Sequence, residues 1–238
     1  MNIEEVTRSE YENHGTSWTR NEFFDTNGYL IIKNLCDPEK LFHPVPKERG
    51  LFNWKGSNEL DKFTYEEVEI QVNGSVARYW HPQYRKIHSE IRLVLEQVIG
   101  RKLYNTYYYD RFYFPGQPLI KHTDRPSCEI SVTIHIGTNI KESWPIWIKT
   151  PDTFEDNTMK TLIASGENRS VHLEAGDGMV YKGCERPHWR DPMPTQYEKK
   201  GLFGRKQVEK EGLYYHQIFF HYVLQDGQRA QCAWDSAK

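Results

Sequence analysis

A histidine and an aspartate that could share one metal ion stand two positions apart in the segment PGQPLIKHTDR. They are His122 and Asp124. Residues i and i+2 of a β-strand project from the same face, so this imidazole and this carboxylate can reach a single ion from one strand end. By itself the H-x-D pair is a weak signal, because a surface His beside a turn Asp is the commoner explanation.

A third candidate ligand, His188, lies 66 positions after His122 in the segment KGCERPHWRDP. It follows a glycine turn and a predicted strand, GDGMVY, so it can reach the same ion from a distant strand. Pro187 and Pro192 restrict the backbone on either side of it. Two histidines and one carboxylate leave coordination positions open, and this is the ligand set of non-haem iron(II) oxygenases.

The other histidines are weaker candidates. His135 lies within the predicted strand SVTIHIG, on the polar face that also carries Ser131 and Thr133. It is the runner-up ligand, although its spacing from Asp124 favours a supporting role beside the ligands. The remaining histidines are predicted to be structural or carry no metal signal: His14, His43, His81, His88, His172, His216 and His221.

Composition limits the class of protein. The chain has 238 residues, a net charge of -2 and a sequence pI of about 6.6. This length suits one sizeable domain with a real core. The near-neutral charge disfavours a long nucleic acid as partner.

Four scattered cysteines contain no C-x-x-C pair, so neither a zinc site nor a redox dithiol is predicted. We expect reduced thiols and a cytoplasmic protein. The N-terminal sequence MNIEEVTRSEYENHG is polar and has no signal-peptide core, and no apolar run approaches a membrane span.

We predict a flexible leader over residues 1–20 and a single domain over 21–238. A helical and mixed part, about 21–102, precedes a barrel core, about 103–225. The strongest helix is HPQYRKIHSEIRLVLEQVIG, with Pro82 at its start, Gly100 at its end and apolar residues at three-to-four spacing. Shorter elements are a helix at NEFFDTN, a strand over Tyr29–Ile32 and a helical turn that Asp37 would cap.

After the long helix the sequence becomes typical of β-structure. Five segments read as strands or strand pairs between turns: LYNTYYYDRFYF, EISVTIHIG, WPIWIKT, SVHLEAGDGMVYKG and LYYHQIFFHYVL. They predict a mainly β (α+β) sandwich or barrel with the N-terminal helices packed on one side. Residues 197–212 are charged and are predicted to form a solvated hairpin or loop, and a strand is expected near Val68–Val72.

The segment Y-F-P-G-Q-x-x-x-x-H-x-D, from Tyr113 to Asp124, resembles the strand before the metal in prolyl 4-hydroxylases and the wider 2-oxoglutarate/Fe(II) oxygenase superfamily. The order of elements is similar too, and HTDRPSCEISVTIHIG and GDGMVYKGCERPHWRDP resemble segments of bacterial and phage oxygenases. The resemblance covers roughly residues 104–223, with a weaker similarity at 22–42. It implies a double-stranded β-helix, or jelly-roll, barrel.

The resemblance also implies a chemistry. His122, Asp124 and His188 would hold Fe(II), and the Tyr113 hydroxyl would point at the co-substrate 2-oxoglutarate, although Tyr113 could equally be one more core aromatic. With O₂, such an enzyme hydroxylates a C–H bond and releases succinate and CO₂. The substrate would be a small molecule or a protein side chain.

One departure from the family pattern concerns the cation that pairs with the distal carboxylate of 2-oxoglutarate. The family carries an Arg or Lys on the last strand, but LYYHQIFFHYVL has neither, and Glu198 stands ten residues after His188. Arg190 and His216 are the first candidates for this role. Three further candidates are Arg125, Arg111 and Lys149.

Two other classes of protein stay open. One is a cupin-like metal-dependent isomerase or binding module without oxygen chemistry, since the jelly roll carries many functions. The other is a metal-free β-sandwich that binds carbohydrate or protein through its aromatic side chains. Four aromatic residues are candidates for the wall of a pocket: Trp144, Trp147, Trp189 and Tyr181.

Overall fold

The computed structural model describes residues 20–41, 65–68, 71–72, 75–150, 154–156, 162–164, 166–200, 206–209 and 212–234. The predicted leader lies outside this part apart from Arg20, so the division into a leader and one domain stays a prediction. Two α-helices are described, α1 (Arg20–Asn27) and α2 (Pro82–Ile99). Short 3₁₀ helices span Pro38–Leu41, Pro126–Cys128 and Ala230–Cys232.

Fifteen strands are found in the described residues. The first eight are β1 (Tyr29–Ile32), β2 (Tyr65–Val68), β3 (Val76–Tyr79), β4 (Leu103–Tyr113), β5 (Leu119–His122), β6 (Ile130–Thr138), β7 (Ile146–Lys149) and β8 (Phe154–Asp156). The others are β9 (Leu162–Ala164), β10 (Asn168–Val171), β11 (Gly178–Tyr181), β12 (His188–Arg190), β13 (Tyr197–Lys200), β14 (Lys206–Glu209) and β15 (Tyr215–Leu224).

Two antiparallel sheets dominate the described structure. The larger has seven strands in the order β1-β11-β6-β15-β4-β3-β2, and the smaller has four in the order β10-β7-β12-β5. Strands β8 with β9 and β13 with β14 form separate two-stranded hairpins. The predicted mainly β class with few helices is confirmed.

Most predicted elements are found with small shifts at their ends. The helix at NEFFDTN, the strand Tyr29–Ile32 and the long helix all form, and the Asp37 carboxylate accepts a hydrogen bond from the Glu39 amide at 3.2 Å. The segment 197–212 contains the predicted hairpin. The strand expected near Val68–Val72 lies earlier, at Tyr65–Val68.

The apolar stripe of α2 packs on the larger sheet. Ile91 and Leu95 share one buried cluster with strand residues Val132, Ile218 and Phe220. We call this surface of the larger sheet the helix face, and the opposite surface the site face. The stripe was visible in the sequence because its three-to-four spacing puts these side chains on one side of the helix.

Alternate residues of β15 point to the two faces, as strand geometry requires. Ile218 and Phe220 lie in the cluster under α2, whereas Tyr215 and Phe219 belong to a second buried cluster. Tyr113 of β4 lies in that second cluster and so on the site face.

No helix of the described residues is long and apolar enough to cross a membrane. The four cysteines Cys36, Cys128, Cys184 and Cys232 are all free in the structure.

A buried ionic network lies on the helix face between β3, β4, β15 and α2. Arg78 forms an ion pair with Asp110, and its Nε donates to the other carboxylate oxygen at 2.9 Å. The Tyr84 hydroxyl also donates to Asp110 at 2.9 Å, and His216 Nε2 lies 2.8 Å from it. Burial works to raise the pKa of Asp110, but Arg78 and His216 outweigh it and lower the pKa below its usual value.

Asp110→Asn should reduce the free energy of unfolding by about 3–5 kcal/mol, because it leaves the buried Arg78 guanidinium opposite a neutral amide. The folded-state pKa of Asp110 is depressed, so its contribution is complete above the unfolded pKa and is lost as the pH falls below about 4. Urea unfolding of both proteins, at neutral and at acidic pH, measures the difference.

Glu90→Gln is the control for this substitution. It removes an exposed i,i+4 ion pair with Lys86, at 3.4 Å, and should change stability by less than about 0.5 kcal/mol. If Asp110→Asn were as mild as this control, the buried network would not be a major source of stability.

Candidate metal centre

His122 and His188 face each other across a strand pair. His122 is the last residue of β5 and His188 the first of β12, and the two are direct partners in the antiparallel register. Directly opposite residues project from the same face of a sheet, so the two imidazoles lie side by side with ring centroids 4.3 Å apart. The smaller sheet therefore brings together two side chains that are 66 positions apart.

Backbone carbonyls orient both rings. Nδ1 of His122 lies 2.7 Å from the Ile120 carbonyl, and Nδ1 of His188 lies 2.9 Å from the Arg186 carbonyl. A carbonyl can only accept, so each Nδ1 carries the hydrogen. The two Nε2 atoms consequently point in the other direction, and this arrangement is typical of metal-binding histidines.

Both Nε2 atoms converge on one oxygen of Asp124. The distance from Asp124 Oδ1 is 3.5 Å to His122 Nε2 and 3.5 Å to His188 Nε2. The sequence predicted this convergence from strand geometry, but β5 ends at His122 and Asp124 lies in the following loop. The carboxylate is turned toward the histidines by contacts of that loop and not by the pleat of a strand.

Those loop contacts involve Gly183 and Ser131. The Asp124 amide donates to the Gly183 carbonyl at 2.9 Å, and the Ser131 hydroxyl donates to Asp124 Oδ2 at 2.9 Å. Gly183 leaves room for the carboxylate, because a Cβ at this position would lie 2.2 Å from Asp124 Oδ2. Neither residue was singled out as part of the site from the sequence.

Arg186 connects His188 to the N-terminal helix. Its guanidinium donates to the carbonyls of Asn27 at 3.0 Å and Thr26 at 3.3 Å, at the C-terminal end of α1. The next residue, Gly28, has φ of 74°, and a Cβ there would lie 2.1 Å from Arg186 Nε. Only glycine fits both requirements at this position.

The charges of the three residues are coupled. Burial would raise the pKa of Asp124, but His188 and His122 outweigh it and hold this pKa well below its usual value. Burial would also lower the pKa of His188, but the Asp124 carboxylate raises it. A metal ion binding here would replace the proton on Nε2, so metal binding would be accompanied by proton release.

A second group of residues with metal-binding atoms, Asp124, Cys128 and His221, overlaps with the first. Burial raises the pKa of the Cys128 thiol well above its usual value, so it stays protonated and is a poor ligand. The triad of His122, Asp124 and His188 is therefore the better metal site among the described residues.

His135 is not part of either group. Its Nδ1 lies 2.9 Å from the Leu173 carbonyl and its ring stacks on Tyr215 with centroids 4.2 Å apart. Burial lowers its pKa to about 4, so the imidazole is neutral at physiological pH.

Tyr113 and Arg190 meet around Trp144 on the site face. The Tyr113 ring packs edge-on against Trp144 with centroids 5.1 Å apart, and the Arg190 guanidinium lies 4.7 Å from the same indole. Arg190 donates to the Trp144 carbonyl and, at 3.3 Å, to the Tyr215 hydroxyl. Arg190 is 1% exposed and forms no ion pair with a carboxylate of the described residues.

His216, in contrast, lies on the helix face. Its ring stacks on Phe112 at 4.1 Å and binds Asp110 in the network under α2. The expectation that His216 could pair with the distal carboxylate of the co-substrate is therefore corrected, because its neighbours Tyr215 and Gln217 point to the site face and His216 does not.

The other three candidate cations each contact a neighbouring residue. Arg111 lies next to Tyr113 and donates to its hydroxyl at 3.2 Å, whereas Arg125 stacks over Tyr107 at 4.5 Å. Lys149 donates to the Gly166 carbonyl.

The four aromatic residues predicted to wall a pocket divide into two pairs. Trp144 and Tyr181 are buried at the site, and the Tyr181 ring packs against His188 at 4.7 Å. Trp147 and Trp189 instead stack on each other at 6.1 Å on the other side of the smaller sheet, where Lys121 lies 4.4 Å from the Trp189 ring.

No protein-family model and no curated protein matches the sequence. Solved structures do match. The non-haem alpha ketoglutarate (2-oxoglutarate) dependent epimerase SnoN has a TM-score of 0.53 and 10% identity, covering 83% of this chain and 78% of that one. The carbocyclase SnoK, of the same dependence, has a TM-score of 0.51 and 15% identity, covering 92% and 91%. The non-haem monooxygenase ThoJ has a TM-score of 0.50 and 12% identity, covering 87% of this chain and 78% of that one.

The chain therefore has the fold of non-haem, 2-oxoglutarate-dependent enzymes. At these identities the similarity concerns the fold alone, and the chemistry depends on the site.

His122→Ala, Asp124→Ala and His188→Ala should each weaken Mn(II) binding by more than the 10- to 100-fold loss that follows removal of a supporting residue, because each removes a ligand atom. Titration with Mn(II), a redox-stable substitute for Fe(II), gives the affinity, and circular dichroism shows whether each variant stays folded.

His135→Ala is the matched control, since it removes a buried histidine outside the triad, and it should keep the affinity of the parent. Parent-like Mn(II) binding by any folded triad variant would show that the ligand set is wrong.

Proposed function

We propose that this protein is a non-haem Fe(II), 2-oxoglutarate-dependent oxygenase that hydroxylates a C–H bond of a small-molecule substrate. The observation that carries the proposal is the convergence of His122 Nε2, His188 Nε2 and Asp124 Oδ1 from paired strands and one loop. Two histidines with a single carboxylate suit Fe(II) with open positions for a co-substrate and O₂.

The fold supports the same proposal. We infer that the two sheets form the double-stranded β-helix that the sequence resemblance implies. A cupin-like site without oxygen chemistry is less well supported, because His135 does not join the two histidines of the triad.

The binding site for the distal carboxylate of 2-oxoglutarate is proposed at Arg190. His188 and Arg190 are two residues apart on β12 and are both buried, so they lie about 6.6 Å apart along the strand. That separation is comparable with the length of an extended five-carbon dicarboxylate whose other end chelates the metal. Arg190 carries a permanent charge and lacks a carboxylate partner in the described structure, so it could neutralise a buried carboxylate.

Tyr113 would contribute a neutral donor to the same carboxylate. Its hydroxyl accepts a hydrogen bond from Arg111, which leaves its own hydrogen available for an anion. Trp144, between Tyr113 and Arg190, would hold both side chains in position and exclude water from the pair.

Bound Fe(II), 2-oxoglutarate and O₂ would together supply the oxidation, with succinate and CO₂ as co-products. The protein would bind and orient these groups and shield the reacting centre. A small-molecule substrate is supported by SnoN and SnoK, which come from nogalamycin biosynthesis. Those two neighbours are an epimerase and a carbocyclase, so product analysis must separate hydroxylation from these outcomes.

In the presence of Mn(II), 2-oxoglutarate should raise the melting temperature of the parent protein, by an amount equivalent to about 2.7 kcal/mol at a hundredfold excess over Kd. Arg190→Ala should bind Mn(II) as the parent does but lose most of this shift, because loss of a charged hydrogen bond costs about 1.5–3 kcal/mol. Arg190→Lys should recover part of it.

Arg169→Ala is the control, because it removes an exposed arginine that pairs with Glu167. Because a guanidinium keeps its charge through the neutral range, the 2-oxoglutarate affinity of the parent should not fall between about pH 6 and about pH 8. A full shift in Arg190→Ala would transfer the role to Arg111. Absence of any shift in the parent would contradict the proposed co-substrate.

A further inference from the structure

We propose that Ser131, held by His221, is a positioning residue that fixes the Asp124 carboxylate so that only Oδ1 can bind the metal. This inference rests on the proposed function, because it concerns the same metal site. It assigns a role to two residues of the larger sheet that contact neither histidine ligand through a hydrogen bond of the described structure.

Ser131 lies on β6 and is surrounded by groups from β15, from the 3₁₀ helix Pro126–Cys128 and from the loop that carries Asp124. Its hydroxyl donates to Asp124 Oδ2 at 2.9 Å and lies 2.9 Å from His221 Nδ1. The Cys128 carbonyl is a second acceptor at 3.2 Å, and Tyr181 is a further neighbour. Ser131 is completely buried, so water does not compete for these contacts.

The direction of each hydrogen bond follows from which atoms can donate and which can only accept. An ionised carboxylate only accepts, so the single hydrogen of the Ser131 hydroxyl is directed to Asp124 Oδ2. The hydroxyl oxygen can then accept from His221, which requires the hydrogen of that imidazole to be on Nδ1. The result is a directed chain from His221 Nδ1 to Ser131 Oγ and from there to Asp124 Oδ2.

His221 is itself held in place by aromatic packing. Its ring lies 4.6 Å from the Tyr107 ring and stacks on Tyr109 at 5.7 Å. This packing fixes the imidazole plane, so Nδ1 faces Ser131.

These contacts restrict the rotation of the Asp124 carboxylate. Asp124 Oδ1 faces both histidine Nε2 atoms at 3.5 Å, while Oδ2 is bound by Ser131 and confined by Gly183. A carboxylate in this position can bind a metal through one oxygen only. A carboxylate free to rotate could use both oxygens and would occupy a coordination position that a chelating co-substrate needs.

The test is a metal titration of the full-length protein without co-substrate. Ser131→Ala should weaken Mn(II) affinity about 10- to 100-fold, the loss typical of removing a residue that orients a ligand. At saturating Co(II), its visible absorption spectrum should also change, because the freed Oδ2 alters the coordination number. A residue that only stabilised the fold would leave the spectrum of the saturated site unchanged.

Ser75→Ala is the matched control. It also removes a buried serine hydroxyl that donates to a backbone carbonyl, that of Phe112 at 3.2 Å, but it does not contact Asp124. It should keep the affinity and the Co(II) spectrum of the parent. If Ser131→Ala does not fold, Ser131→Cys replaces the hydroxyl by a poor donor of similar size and should also weaken binding.

His221→Phe keeps the aromatic packing and removes the donor. It should weaken Mn(II) binding less than Ser131→Ala, and the double variant should be no weaker than Ser131→Ala alone, because the two residues act in series. Additive losses would remove His221 from the role. Parent-like affinity and spectrum in folded Ser131→Ala and Ser131→Cys would overturn the proposal. Absence of Mn(II) binding by the parent would instead contradict the proposed function.

Discussion

The cross-strand pairing of His122 with His188 is the contact on which the rest of the site depends. It joins two strands that are far apart in the sequence, and it sets the distance between the imidazoles at the spacing of a β-ladder. The surrounding structure orients the two rings and supplies the third candidate ligand. Carbonyls turn the rings, a loop delivers Asp124, and the larger sheet supplies the serine that holds it.

The elements of the fold could largely be predicted from the sequence. The long helix has both a periodic apolar stripe and end signals, and the strands that build the larger sheet are aromatic or β-branched segments between turns. The convergence of these three side chains could be predicted too, because His122 and Asp124 are close in the chain and His188 follows a recognisable turn and strand. The reason given for Asp124 was incomplete, since it lies beyond the end of β5.

Contacts between distant segments could not be predicted in the same way. Ser131 stood on a strand face that was recognised as polar, but nothing local shows that this face meets the loop of Asp124. His216 illustrates the opposite case. It alternates in step with the apolar residues Ile218 and Phe220, which indicates the helix face. This local signal argued against His216 as the partner of a co-substrate carboxylate.

Arg186 connects the N-terminal helix α1 to the candidate metal ligand His188. The guanidinium binds carbonyls at the end of α1, and the carbonyl of the same residue orients the ring of His188. Gly28 leaves the space for the guanidinium. The last turn of α1 and the candidate metal site are thus connected through one residue, Arg186. A substitution at Gly28 would consequently displace the side chain of the residue that orients the His188 ring, although Gly28 is far from His188 in the sequence.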